Sequence, residues 1–205
     1  MPPLIRNTFL DFTLNPGPTG ITFGNGKFWT VTYGVRNFAK YTEDGTPDGT
    51  IPHTSNFATG VVFHNDKLYV LDSSSAPRVT PYSQTGTSET AWLLHSDNRV
   101  PTGITFGNEH FWITNYDSTT LETKIFKYAE DGTFVAQYTI DDDDIGTSSG
   151  VVFFDNSLFV TDPTFHNVIE LDDTGETIDV HQIGNDVTPT GITIKGSFFL
   201  SLIHI

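Results

Sequence analysis

The residues that could do chemistry in this chain fall into three groups. A small hydroxyl stands immediately before each of five glycines: Thr19, Thr59, Thr102, Ser149 and Thr190 precede Gly20, Gly60, Gly103, Gly150 and Gly191. Two tyrosines and two aspartates, Tyr33, Asp72, Tyr116 and Asp162, recur at matching distances beyond those glycines, with Arg36, Arg78 and His166 in the segments that follow. Around a shared opening, the tyrosines could stack on a sugar or other polar ligand and the carboxylates could hydrogen-bond it. Equally, an aspartate at the end of a strand can simply cap the next turn. The third group is the acidic run Asp141-Asp142-Asp143-Asp144. Clustered carboxylates suit a hard cation, but the run lacks the glycine turn and distal glutamate of an EF-hand loop and reads as a solvated acidic loop.

Other chemistries find no support. The chain has no cysteine, so thiolate nucleophiles, thiolate metal sites and disulfides are excluded. His53, His64, His95, His110, His166 and His181 are scattered without metal-ligand spacing, and no Ser/His/Asp triad can be assembled from residue order. No catalytic residue, metal site or cofactor is assigned, and no Asn-x-Ser/Thr glycosylation phrase occurs.

The elements that must position these residues are set by a repeat. PTGITFGNGKFW from Pro18 returns as ATGVVFHNDKLY, PTGITFGNEHFW, SSGVVFFDNSLF and PTGITIKGSFFL, with the reference glycines 40, 43, 47 and 41 residues apart. That is the period of a four-stranded propeller blade. Each unit opens with an alternating run such as Ile21-Thr22-Phe23, the expected innermost strand, where glycine admits close backbone approach. A turn at Asn25-Gly26, Asn65-Asp66, Asn108-Glu109 or Asp155-Asn156 leads to an aromatic second strand, apolar at both parities and hence buried on both faces. A third strand ends in Asp44-Gly45, Thr85-Gly86, Asp131-Gly132 or Thr174-Gly175 and is followed by an outer one. Pro81 demotes its third strand to an edge or bulge, and Pro52 weakens the first outer strand. The predicted fold is an all-β propeller of four-stranded antiparallel blades: four blades and a partial fifth within residues 1–199.

Residues 8–14 alternate well enough to form an outer strand that completes the last blade. Residues 200–205 match what a common transposon-adapter sequence encodes in this frame, and are set aside as a sequencing scar. Ring closure is therefore expected to be unfinished, with a sheet edge exposed. Alternate units share a terminal tyrosine or a terminal aspartate, and this two-blade duplication favours an even number in the parent protein, six first.

Composition bounds the partners. With 10 basic and 25 acidic residues the formal charge is −15, which repels a phosphate backbone, so nucleic acid is not an expected partner. No apolar run is long enough for a membrane span. Helix is scarcely signalled.

At these residues the chain resembles the NHL-type and TolB-like six-bladed propellers, whose blades read as proline, any residue, glycine, an apolar pair, an Asn/Gly turn, an aromatic strand ending in aspartate, then an apolar strand closed by Asp-Gly. The likeness spans residues 8–199. It implies a funnel-shaped scaffold that binds a small polar ligand, a glycan or a protein at one face, as a module of a larger surface or secreted protein. Gluconolactonase-like relatives hold calcium or zinc through carboxylate and asparagine side chains at the inner rim, where this chain has only Thr19, Thr59, Thr102, Ser149 and Thr190. Neutral hydroxyls are poor ligands for a divalent ion. The alternatives are a lactonase- or lyase-type enzyme whose catalytic residues lie in a missing part, and a structural spacer in an adhesin or phage-tail protein.

Overall fold

A computed structural model of the chain describes residues 4–5, 12–14, 16–120, 122–140, 145–184, 188–196 and 198–204. The strand β1 (Leu4–Ile5) is followed by four antiparallel sheets, each in chain order. The first holds β2 (Gly20–Gly24), β3 (Lys27–Thr32), β4 (Val35–Thr42) and β5 (Pro47–Pro52), and the second β6 (Ala58–His64), β7 (Lys67–Asp72), β8 (Arg78–Ser83) and β9 (Trp92–Leu93). The third holds β10 (Pro101–Gly107), β11 (His110–Asp117), β12 (Glu122–Ala129) and β13 (Phe134–Thr139), and the fourth β14 (Gly150–Phe154), β15 (Ser157–Asp162), β16 (Asn167–Leu171) and β17 (Thr177–Gln182). A three-stranded sheet of β18 (Thr188–Lys195), β19 (Phe198–His204) and β1 completes the set. The innermost strands β2, β6, β10, β14 and β18 pack each against the next, and β18 also packs against β2. The molecule is thus a β-propeller of four full blades and a partial fifth.

Turn chemistry explains the hairpins. Asn25, Asn65, Asp66, Asn108, Glu109, Asp155 and Asn156 adopt φ between 45° and 71°, the left-handed region that tight hairpins demand. Gly45, Gly86, Gly132 and Gly175 close the third-to-fourth strand turns at φ of 84° to 91°.

There is no single core. One apolar cluster fills each gap between neighbouring blades, because a propeller sheet buries both of its faces. Trp29, Val31 and Phe38 of the first blade meet Val61, Leu68 and Val70 of the second. Tyr69, Leu71 and Val79 meet Ile104, Phe111 and Phe126. Trp112 and Ile125 meet Val151, Leu158 and Val160. Val152, Phe159 and Val168 meet Ile192 and Phe199. Each buried Phe or Leu contributes about 1.5 to 3 kcal/mol.

Two expectations are corrected. The ring is not left open: Leu200 is buried against Ile21, Phe28, Ala39 and Tyr41, giving the gap between the fifth blade and the first its own cluster. The Phe23 N–H donates to Thr193 Oγ1 at 3.1 Å there, as the Phe63 N–H donates to Thr22 Oγ1 at 3.0 Å and the Phe153 N–H to Thr105 Oγ1 at 3.1 Å elsewhere. On the side of the fifth blade, only its inner and second strands carry these contacts, so closure does not wait for outer strands there. Among the described residues four full blades and a partial fifth make up the ring. Finally, of the expected outer strand at 8–14, residues 8–11 lie outside the described residues and Phe12–Leu14 form a 3-10 turn beside β5, with Leu14 packed on the closing cluster. The strand from the amino-terminal side that completes the fifth blade is β1, parallel to β19 with Leu4 opposite Phe198 and Ile5 opposite Phe199.

Pro81 stays in a third strand, opposite Tyr69. Its carbonyl accepts the Glu89 N–H at 2.9 Å, so the side that lacks a donor faces outward. The outer strand β9 pairs only at Arg78 and Val79 and is the shortest of the four, as a missing ladder hydrogen bond predicts. Despite Pro52, β5 forms and reaches that residue.

Candidate functional site: the axial cavity

The site begins with the five glycines. A Cβ on Gly20 would lie 2.8 Å from the Cα of Gly60, and one on Gly103 or Gly150 would lie 3.0 Å from the Cα of Gly150 or Gly191. Only glycine lets five inner strands crowd this closely around an axis. The constriction they form with Ile21, Val61, Ile104, Val151 and Ile192 encloses ≈ 10 Å³, about one water. Just beyond it the axis widens into a cavity of ≈ 210 Å³ lined by Pro18, Thr19, Thr59, Thr102, Ser148, Ser149 and Thr190.

The hydroxyls of this wall tie the blades together. Thr19 Oγ1 donates to the Ala58 carbonyl at 2.9 Å, Thr59 Oγ1 to the Pro101 carbonyl at 3.1 Å, and Ser149 Oγ to the Pro189 carbonyl at 2.9 Å. Thr102 Oγ1 lies 3.0 Å from Thr114 Oγ1 and 3.1 Å from Ser148 Oγ. Apart from the Thr102–Thr114 contact within the third blade, each bond reaches from one blade to the segment that opens the next. Among the described residues the cavity wall contains no Asp, Glu, His, Lys, Arg or Tyr.

The second set of residues is placed differently. Asp72 and Asp162 are 2% and 0% exposed and do not line the cavity. Asp72 accepts hydrogen bonds from Ser55 Oγ at 2.5 Å and the Ser74 N–H at 2.9 Å, with Arg78 at 3.9 Å. Burial acts to raise its pKa, but the bonds from Ser55 and Ser74 and the Arg78 charge outweigh it, and the net displacement is downward. Asp162 accepts four backbone N–H groups, from Gly146 at 2.7 Å, Thr147 at 3.3 Å, Thr164 at 2.7 Å and Phe165 at 3.2 Å. Both aspartates cap loops. Arg36 Nε donates to Asn56 Oδ1 at 2.6 Å, and His166 adopts φ of 57° at a turn. Asp141 to Asp144 lie outside the described residues.

Tyr33 and Tyr116 are not among the described residues that line the cavity; they stand where second strands end, at the same end of the sheets as Thr19 and Thr102. Tyr33 is 53% exposed, with its ring edge-on to Phe57 at 5.5 Å. Phe57 directly precedes the strand that carries Thr59, and Val100 precedes the strand that carries Thr102; both are exposed. Tyr116, partly buried, sends its N–H to the Val100 carbonyl at 3.3 Å, and Phe165 is exposed in the corresponding loop of the fourth blade. Phe57, Val100 and Phe165 were missed. A large apolar residue two places ahead of Thr59 or Thr102 was the available signal. Tyrosine hydroxyls hold the segments ahead of β6 and β10: Tyr82 Oη lies 2.7 Å from Thr54 Oγ1, and Tyr128 Oη accepts the His95 N–H at 3.1 Å.

No protein-family model matches the chain, and no curated protein matches it in sequence. Solved structures do share its fold. Glutaminyl cyclase from Myxococcus xanthus superposes with a TM-score of 0.73 at 15% identity, over 98% of this chain and 88% of that one. A streptogramin B lyase superposes with a TM-score of 0.62 at 19% identity, over 96% of this chain and 65% of that one. A nidogen/laminin complex gives 0.59 at 15% identity, over 88% and 86%. Propellers of this shape therefore include enzymes and a component of a binding complex. At such identities the likeness concerns fold alone. Among the described residues no group of three or more His, Asp or Glu could hold a metal ion, and no helix is long and apolar enough to cross a membrane.

Proposed function

We propose that the chain is a non-catalytic recognition module that takes a small polar ligand, a glycan or a protein segment at the axial mouth, within a larger surface or secreted protein. The observation that carries this reading is the chemistry of the cavity wall. Proton transfer needs a titratable group within hydrogen-bond reach of the substrate, and nucleophilic attack by Thr or Ser needs an adjacent base. The wall of Pro18, Thr19, Thr59, Thr102, Ser148, Ser149 and Thr190 supplies neither. What it does supply, a rigid concave surface with few polar groups under an exposed aromatic rim, is the usual make-up of a binding site.

The nidogen structure is a protein complex, which supports the protein-binding arm of this reading. The rival reading, a lactonase- or lyase-type enzyme, draws support from the glutaminyl cyclase and streptogramin B lyase likenesses. Glycan and peptide arrays probed with the wild type, with Thr59→Met, which fills the cavity, and with Tyr33→Ala/Phe57→Ala, which removes the rim pair, test the proposal. Binding lost in both variants at unchanged circular dichroism is the expected result. Hydrolysis or elimination activity that depends on added calcium or zinc overturns it.

A further inference from the structure

We propose that the axial cavity selects a protonated primary alkylamine, either a free amine or the end of a lysine side chain. The inference rests on the recognition reading above and adds to it the charge and shape of the guest.

A threonine or serine hydroxyl has one proton and two lone pairs. In this wall the protons are already directed elsewhere: Thr19 to the Ala58 carbonyl, Thr59 to the Pro101 carbonyl and Ser149 to the Pro189 carbonyl, at 2.9 to 3.1 Å. Thr102 and Ser148 share their protons with each other and with Thr114. Backbone donors are withheld too. The Thr19 N–H serves the Val31 carbonyl at 2.8 Å and the Ser149 N–H the Thr161 carbonyl at 3.1 Å. Pro18, Pro101 and Pro189, each one residue before a wall hydroxyl, have no N–H at all. The hydroxyl protons of Thr19, Thr59, Thr102, Ser148 and Ser149 are thus engaged, while lone pairs remain on those oxygens. A guest that brings N–H donors and positive charge answers that arrangement, because hydrogen bonds to a charged partner are stronger than neutral ones.

Shape and field agree. Among the described residues no Lys, Arg or His lines the wall to compete with a guest cation. The threonine methyls and the Pro18 ring offer carbon to a methylene stem, as apolar surface does for the stems of lysine side chains. The cavity of ≈ 210 Å³ accepts such a stem, while the glycine constriction stops it from passing through. Tyr33 and Phe57 at the rim can meet an approaching cation through their ring faces. A formal charge of −15 raises the local concentration of cations. A carboxylate or phosphate guest meets the lone pairs of these hydroxyls and the wrong field.

The test is a titration of the full chain with n-butylammonium chloride, n-butanol and potassium chloride at matched ionic strength, read by the methyl resonances of Thr19, Thr59 and Thr102. An acetylated, amidated Gly-Lys-Gly peptide forms a further arm that separates the free-amine source from the lysine source. Butylammonium is expected to bind at least about tenfold more tightly than butanol, the factor that a charge-assisted hydrogen bond supplies. Raising the salt weakens butylammonium and leaves butanol unchanged. Thr59→Val lowers butylammonium affinity at least about threefold relative to Thr59→Ser, which keeps the oxygen. Butanol binding as tightly as butylammonium, or potassium chloride producing the same methyl shifts, overturns the amine assignment while leaving recognition at the mouth standing. Methyl resonances that respond to none of these, nor to any array ligand, overturn both.

Discussion

His53 offers a pH-dependent prediction that can be worked from the structure. It lies in the loop between β5 and β6, 4% exposed, with its ring 4.8 Å from Phe38 and 6.1 Å from Tyr82. Neither ring nitrogen makes a hydrogen bond of good geometry. Burial pushes its pKa down from 6.5 to about 4, against weaker opposing pulls from the Asn37 backbone and the Asp72 charge. Because the folded value lies below the unfolded one, the unfolded chain takes up the proton first as pH falls. The stability that His53 confers as a neutral ring is therefore complete above about pH 6.5 and is lost progressively down to about pH 4. The gap corresponds to about 3 kcal/mol, a large share of the stability of an ordinary domain. Urea unfolding followed by tryptophan fluorescence, on the wild type and on His53→Phe, isolates the term by difference. His53→Phe keeps the ring contact with Phe38 and removes the titration, so it should match or exceed the wild type near neutrality and pull ahead by about 2 to 3 kcal/mol near pH 4.5. Curves that decline in parallel between those conditions refute the reasoning, as does an NMR titration placing the His53 pKa near that of an exposed imidazole.

Other consequences concern how the blades fit together. Gly107→Ala would put a Cβ 2.0 Å from the ring of Phe153, so it should destabilise by about 1 to 3 kcal/mol, and Phe153→Leu in the same chain should recover part of the loss in thermal melting. Asp162→Asn leaves a buried site that accepts four N–H groups with one acceptor oxygen too few; chemical denaturation should show a cost of about 2 to 3 kcal/mol. Thr59→Val removes one bond between adjacent blades, to the Pro101 carbonyl, and should cost about 1 kcal/mol; a neutral result would mean that the hydroxyl does not stitch that seam.

Sequence pattern reached the fold because the propeller writes itself locally. A turn at Asn65-Asp66 or Asp131-Gly132 is set by the φ values those residues tolerate, and apolar residues at both parities of 68–71 mark a strand buried on both faces. Closure was not legible in this way. Whether Leu200 meets Tyr41 depends on how far each sheet turns about the axis, a sum over the whole ring that no single unit encodes. Residues 8–14 misled for the opposite reason: their alternation records an apolar face, but Leu14 uses it against the closing cluster from a 3-10 turn. The hydroxyls before the glycines were visible as a set, whereas the direction of their protons was not, since it depends on carbonyls of the following blade, 39 residues away for Thr19 and 42 for Thr59. Asp72 and Asp162 carried both a ligand-holding and a capping reading. Their distinguishing partners, Ser55 and the 146–147 backbone, sit in variable loops that carry no repeat signature.

The ring of glycines makes this molecule a cup and not a tube. The space among the glycines holds about one water, so a guest larger than water that enters the wider cavity is expected to leave by the opening through which it came. On the proposed recognition reading, arrival and departure then share a single doorway, so substitutions at Tyr33 and Phe57 should change residence time and substitutions on the underside of the disc should leave both rates alone.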